Sequence, residues 1–199
     1  MPAQDTSFSR LISLACHDLR TPLATVTGFA KTMVRMEGVD EKIARYLGMI
    51  DAAGGQLADL LEELALVARI EGGRWDPLIA DLDSLELARA AVEPLGDAVE
   101  VSGEGERVAV ARDETPRALE ALTRCALRHG GLKSVELHVA GASITIAPVT
   151  AETAEVCLGR ELRDFPAAVA VSVIEALGGA TREQDETIVI DLPLGPSLG

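Results

Sequence analysis

Aromatic and basic side chains are both scarce in this chain. Phe, Trp and Tyr make up 3% of the 199 residues, so a core must be built from Leu, Val, Ile and Ala. That composition favours packed helices with a small sheet. Lys and Arg number 18 against 32 Asp and Glu, for a net charge of −14. Because nucleic acids and anionic membranes bind clustered Lys and Arg, we expect neither partner.

Cysteines and long apolar runs are also few. Cys16, Cys125 and Cys157 are odd in number and widely spaced, with no C-x-x-C pair. The spacing therefore suggests neither a disulfide framework nor a structural metal site, and it favours a reducing compartment. No apolar run reaches the roughly 18 residues of a membrane span, and no signal-peptide pattern is found. We expect a cytoplasmic protein without a membrane anchor or a bound metal.

The first third of the sequence predicts two long helices. The first spans residues 8–37 and contains Pro22, which should kink it because proline lacks an N–H and clashes with the preceding turn. Residues 38–40 form a predicted turn, in which Asp40 caps the next helix. The second helix spans residues 41–70 and is followed by two glycines.

A heptad pattern marks the second helix. Its apolar or small members alternate at spacings of four and three: Ile43, Leu47, Ile50, Gly54, Leu57, Leu61, Leu64 and Ala68. Gly54 and Gly55 indicate local looseness or close packing in its middle. Such a stripe is typical of bundle packing. Two chains could cover it by forming a four-helix bundle, which we expect. Alternatively, the rest of the same chain folds over the hairpin.

The remainder of the sequence mixes helical and strand patterns. Helices are predicted at residues 84–96, 114–128 and 165–177, and strands at 99–101, 108–111, 134–140, 143–149 and 187–192. A hairpin is expected around Gly141. The prediction is an α+β protein, with a helical hairpin at residues 1–73 and a small sandwich of helices on antiparallel strands at residues 77–199.

His17 stands out on the first helix. A helical wheel gathers the apolar residues into one stripe: Phe8, Ile12, Ala15, Leu19, Leu23, Val26, Ala30 and Met33. His17 lies opposite the stripe and should face solvent, as ordinary surface histidines do. However, Asp18 can fix one ring nitrogen and make the other more nucleophilic, and Thr21 follows one turn along. The alternative is that all three are ordinary solvated residues.

The run from His17 to Leu23, H-D-L-R-T-P-L, resembles the H-box of two-component sensor histidine kinases. Gly28 and the segments at residues 46–50 and 60–71 also resemble that family, so the likeness covers residues 8–73. The resemblance implies a dimeric four-helix bundle in which His17 accepts phosphate and Asp18 assists proton removal. It also implies a phosphatase motif in which Thr21, with Asp18, orients a hydrolytic water.

Residues 77–199 resemble a degenerate form of the family's ATP-binding domain. Cys125 stands where the family has the Asn that holds Mg²⁺, although a small buried residue is the simpler interpretation. Residues 147–149 (Ala-Pro-Val) replace the aspartate and glycine box, and residues 164–167 (Asp-Phe-Pro-Ala) replace the glycine-rich one. Since a thiol is a poor ligand for Mg²⁺ and Pro166 removes an N–H donor, the resemblance implies that ATP binding is lost.

Two classes of function follow from these expectations. In the first, His17 passes phosphate to and from response-regulator aspartates, as in standalone kinase-like phosphotransferases, with Mg²⁺ on the receiver and no cofactor on this chain. In the second, a pseudokinase-like dimer regulates a partner by binding alone. A histidine kinase with a divergent nucleotide site, or a receiver phosphatase, also remains open. His129 is expected to cap a helix and His138 to lie in a strand, neither with a catalytic role.

Overall fold

The computed structural model describes residues 6–35 and 40–195. The chain divides into two compact units, Met1–Trp75 and Asp76–Gly199. Across the described residues, no helix combines the length and apolar character needed to cross a membrane.

Two antiparallel helices form the first unit, α1 (Thr6–Val34) and α2 (Glu41–Glu71). Pro22 lies inside α1, which continues through it as one helix. The Asp40 carboxylate accepts hydrogen bonds from the backbone N–H groups of Lys42 and Ile43, so it caps α2 as predicted. The rest of the predicted turn, Gly38 and Val39, lies outside the described residues.

One row of small or apolar residues on each helix faces the other helix. On α1, Cys16 and Ala30 are 1% and 3% exposed, and Leu23 lies between them. On α2, Leu47 and Gly54 are buried seven residues apart, and Ala68 is buried fourteen residues after Gly54. A Cβ atom on Gly54 would collide with the Thr27 side chain, which shows how closely the helices approach.

A second row of apolar residues on each helix is exposed in the single chain. Leu19, Val26 and Met33 are 52%, 54% and 43% exposed, and Ala15 is exposed as well. The side chain of Phe8 is outside the described ones. Ile43, Ile50 and Leu57 on α2 are 48%, 43% and 53% exposed. The apolar stripe is wider than one neighbouring helix can cover, so part of it remains exposed in a single hairpin.

In the described part of the second unit there are four further helices and seven strands. In chain order they are β1 (Ile79–Asp83), α3 (Ser84–Val92), β2 (Val99–Gly105), β3 (Arg107–Ala111), α4 (Glu114–Gly130), β4 (Val135–Gly141), β5 (Ser143–Ala147), α5 (Ala151–Cys157), α6 (Phe165–Ala176), β6 (Ala180–Gln184) and β7 (Thr187–Asp191). A 3₁₀ turn, Glu93–Ala98, follows α3. Five strands form one sheet in the order β2-β4-β5-β7-β6, and β1 pairs with β3.

Helices pack on the five-stranded sheet to form the core of this unit. α4 contacts α6 and α3, and α3 also contacts β2 and β4. The fully buried side chains come from both layers and include Leu119, Leu122, Ile144, Ile146, Ile188 and Ile190. The α+β class is therefore confirmed. We expected antiparallel strands, but β2 and β4 pair in parallel. A helix-containing segment joins these two strands.

Candidate phosphoacceptor and degenerate nucleotide site

His17 is exposed on α1, as its position on the helical wheel predicts. The preceding residue, Cys16, is 1% exposed in the interface with α2. Consecutive residues on a helix lie about 100° apart, so this buried contact fixes the direction in which the imidazole leaves the helix. The ring is therefore available to a second protein while its helix is held by packing.

The neighbours of His17 are exposed and have few contacts of their own. Asp18 and Thr21 both face solvent, and among the described side chains the Asp18 carboxylate forms no hydrogen bond to the His17 ring. The backbone carbonyl of Thr21 accepts a hydrogen bond from the Thr25 hydroxyl at 3.0 Å. The Thr21 side chain is therefore accessible to a protein that docks on His17.

Small residues continue this face along α1. Ala24 and Gly28 are exposed, and a Cβ atom on Gly28 would meet nothing within 4 Å. Between His17 and Gly28, the side of α1 that carries Thr21 therefore has few protruding side chains. A docking helix could approach the imidazole closely there.

In the second unit, Cys125 lies on α4 and is fully buried, as its simpler interpretation predicts. Its Sγ lies 3.3 Å from the Sγ of Cys157, the last residue of α5. The hydrogen bond from Cys157 and burial raise the pKa of the Cys125 thiol. A neutral thiol therefore occupies the position at which the family resemblance places the Mg²⁺-binding Asn.

Asp164 caps the N-terminus of α6, and its carboxylate has three partners. Its Oδ1 accepts a hydrogen bond from the backbone N–H of Ala167 at 3.2 Å. Its Oδ2 lies 3.2 Å from Nη1 of Arg128 and 3.1 Å from Nε2 of His129. The positive end of the α6 dipole, which could otherwise attract a phosphate, is thus already covered by a carboxylate of this chain.

His129 lies in the last turn of α4, at the end of the helix where it was expected. Gly131, in the left-handed conformation with φ of 59°, ends α4, and the His129 ring points to Asp164. A cavity of about 30 Å³ lies beside this ring and is lined by His129, Glu152, Thr153, Val156 and Arg163. That volume holds about one or two water molecules.

The strand expected to lead to an adenine-binding aspartate ends without one. β5 stops at Ala147, and Val149 is 2% exposed with its N–H bonded to the carbonyl of Glu186 at 2.7 Å. The other histidine, His138, lies on β4 as predicted, with its Nδ1 3.0 Å from the Ser102 hydroxyl.

Comparisons with known proteins identify the family to which the helical hairpin is similar. Residues 9–73 match the family model of the His Kinase A (phospho-acceptor) domain. The probable sensor histidine kinase TcrY of Mycobacterium tuberculosis is 30% identical over 96 residues, which are 48% of this chain and 19% of that protein. Histidine protein kinase DivJ of Caulobacter vibrioides is 33% identical over 89 residues, or 44% of this chain and 15% of that protein. The matches thus span under a fifth of these relatives.

A solved structure extends the likeness to both units. The fold resembles that of full-length ShkA in complex with AMPPNP, with a TM-score of 0.70 and 15% identity, over 94% of this chain and 47% of that one. Residues 9–73 are a phospho-acceptor domain of the His Kinase A family, and the chain has the two-part fold of a two-component histidine kinase. The resemblance noted in the sequence is therefore confirmed.

Proposed function

We propose that this protein is a histidine phosphotransferase, which exchanges phosphate between His17 and the aspartates of response-regulator receivers. The observation that carries the proposal is an exposed H-box histidine on a packed hairpin, in a chain where the Asp164 carboxylate at the start of α6 is already paired with Arg128 and His129. Transfer between a receiver and an imidazole needs one free ring nitrogen and an accessible surface. The receiver brings the Mg²⁺ and the acidic pocket.

Loss of ATP binding is part of the same proposal. Three separate features support it: the neutral Cys125 thiol, the absence of a carboxylate in residues 147–149, and the Asp164 carboxylate at the start of α6. The last of these would repel a phosphate at the position where the family uses glycine-rich backbone. We therefore expect that Mg²⁺-ATP neither stabilises the folded chain nor labels His17.

A homodimer is the assembly that the exposed apolar rows of the hairpin favour. The exposed rows on α1 and α2 are each offset by three residues from the row that packs inside the hairpin. Because the helices are antiparallel, that offset places both exposed rows on the same side. The six half-exposed apolar residues named above then form one continuous face, and a second hairpin would cover it in a four-helix bundle.

The proposal is tested by offering the chain two sources of labelled phosphate, a set of phosphorylated receivers and Mg²⁺-ATP. We expect label to reach the wild type from at least one receiver and not from ATP. His17→Gln should accept none, whereas His138→Gln, which changes an exposed histidine of the second unit, should accept as the wild type does. Efficient labelling from ATP would contradict the proposed loss of kinase activity, and failure with every receiver would contradict transfer.

A second candidate is regulation by binding alone. The exposed surface of α1 beside His17, formed by Thr21, Ala24 and Gly28, favours it because a partner could dock there. A partner held there need not exchange phosphate. In cells, His17→Ala would then retain full function, whereas the phosphotransfer proposal expects it to behave as a null allele.

A further inference from the structure

Three potential metal ligands converge in the second unit, beside the proposed degenerate nucleotide site, and a fourth adjoins one of them. A sulfur of Cys125, a ring nitrogen of His129 and a carboxylate oxygen of Asp164 all lie within 4.8 Å of one another. Cys157 adds a second sulfur, 3.3 Å from that of Cys125. We propose that these residues bind a thiolate-preferring transition-metal ion of the Zn²⁺ class, with Cys157 completing the set of ligands.

The fold brings the ligands together from three elements. Cys125 and His129 are four residues apart on α4 and therefore share one face of that helix. Cys157 ends α5, and Asp164 caps α6. A bound ion would link α4 to the end of α5 and the start of α6, where residues 164–167 stand in place of the family's glycine-rich loop.

Two of the ligand separations are close to those of a tetrahedral zinc site. With Zn–S bonds of about 2.3 Å and Zn–N or Zn–O bonds of about 2.0–2.2 Å, neighbouring ligand atoms lie roughly 3.3–3.8 Å apart. The His129 Nε2 and Asp164 Oδ2 atoms are 3.1 Å apart and the two sulfurs 3.3 Å apart. The remaining separations within the first three ligands, at most 4.8 Å, need side-chain shifts of about 1 Å.

The chemistry of the ligands selects the metal. Thiolate and imidazole suit Zn²⁺ and its first-row neighbours, whereas Mg²⁺ and Ca²⁺ require a shell of oxygen. When Zn²⁺ binds, each cysteine thiol releases its proton to solvent as the Zn–S bond forms. Two thiolates and one carboxylate then leave a single net negative charge at the ion, and the Arg128 guanidinium, 3.2 Å from the Asp164 carboxylate, offsets it.

An entry path for the ion is present on the His129 side. The His129 side chain is 21% exposed, whereas that of Asp164 is 2% exposed and both sulfurs are buried. The cavity of about 30 Å³ beside the ring is also lined by Glu152 and Arg163, which are exposed. An ion could thus reach the imidazole first and then be drawn towards the buried ligands.

The test is a titration of the full chain, freed of metal by a chelator and kept reduced, with Zn²⁺ against a chromophoric competitor. We expect one Zn²⁺ per chain and a rise in melting temperature. Co²⁺ should replace it and produce a thiolate-to-cobalt charge-transfer band. His129→Gln and Cys125→Ser should each weaken binding by about tenfold or more, since changes even outside the ligand shell cost that much.

The matched controls make the same types of substitution, His to Gln and Cys to Ser, at positions outside the cluster. His138→Gln and Cys16→Ser should bind Zn²⁺ as the wild type does. The proposal is overturned if the wild type takes up no stoichiometric Zn²⁺, if the cobalt complex lacks the thiolate band, or if the cluster variants bind as tightly as the controls. Should Cys125→Ser unfold, as judged by circular dichroism, His129→Gln decides the outcome, because its ring is partly exposed.

Discussion

At the scale of single residues, one side chain beside His17 is buried and holds the helix in place, whereas the side chains that could react are exposed. Cys16 is buried against α2, while His17, Asp18 and Thr21 face solvent. An imidazole in that setting keeps a free ring nitrogen, which is the requirement for carrying a phosphoryl group. Because no side chain of the described residues covers Thr21, a water held between its hydroxyl and a docked receiver is sterically possible.

Thr21→Ala should therefore affect two reactions unequally. Removing the hydroxyl removes the group that would orient a hydrolytic water, so we expect dephosphorylation of a cognate receiver to fall by about tenfold or more. Transfer between the receiver and His17 needs no such water and should change by less than about twofold. Both rates can be followed with one labelled receiver.

Thr25→Ala is the matched control for that variant. Thr25 is another exposed threonine of α1, and its hydroxyl is hydrogen-bonded to the Thr21 carbonyl. It should leave both rates near those of the wild type. Equal losses of hydrolysis and transfer in Thr21→Ala would show that Thr21 supports docking rather than water activation.

At the scale of helices and strands, the glycine pair of α2 illustrates how closely the hairpin packs. A Cβ atom on Gly54 would collide with Thr27, whose hydroxyl is itself bonded to the Leu23 carbonyl at 3.0 Å. A Cβ atom on Gly55 would meet nothing within 4 Å. Of the two sequence-based interpretations of this pair, Gly54 thus fits close packing, while Gly55 has no such constraint.

Gly54→Ala and Gly55→Ala should change stability in opposite directions. Gly54→Ala overpacks the interface, and we expect it to lower the free energy of unfolding by about 1–3 kcal/mol. Gly55→Ala improves helix propensity without a collision and should raise it by about 0.5–1 kcal/mol. Urea unfolding followed by circular dichroism measures both. Equal stabilisation by the two variants would mean that α1 and α2 do not approach as described.

The exposed rows make a prediction about assembly. Ile50→Glu places a charge in the middle of the apolar face, so we expect the dimer to dissociate into monomers in sedimentation experiments. Met49→Glu changes a residue that is 63% exposed but lies outside both heptad rows, and it should leave the dimer intact. A wild type that sediments as a monomer, or a dimer in both variants, would contradict the proposed interface.

Strong periodicity explains which elements were predictable. The limits of α1, α2, α4 and α6 follow from caps, glycines and sustained apolar spacing, and they agree with prediction within a few residues. The missed elements carry little such signal. β1 (I-A-D-L-D) contains two acidic residues, β6 (A-T-R-E-Q) is a polar strand at the edge of the sheet, and α5 is only 7 residues long. In each, tertiary pairing rather than local pattern decides the conformation.

At the scale of the whole molecule, the candidate sites of the two units differ in how far they could be predicted from the sequence. The H-box is contiguous, so the exposed position of His17 could be predicted from a helical wheel. The cluster of Cys125, His129 and Asp164 could not, because Asp164 lies 35 residues beyond His129 and meets it only through the packing of α4 on α6. The spacing of Cys125 and His129 by four residues on one helix was the available signal.

The most direct measurement of the central claim is the location of the phosphate after a phosphorylated receiver has been mixed with this chain without nucleotide. Mass spectrometry under alkaline conditions, which preserve phosphohistidine, should find one phosphoryl group per labelled chain, on the imidazole of His17. Phosphate on any other residue, or phosphohistidine that forms only when ATP is added, would contradict the account.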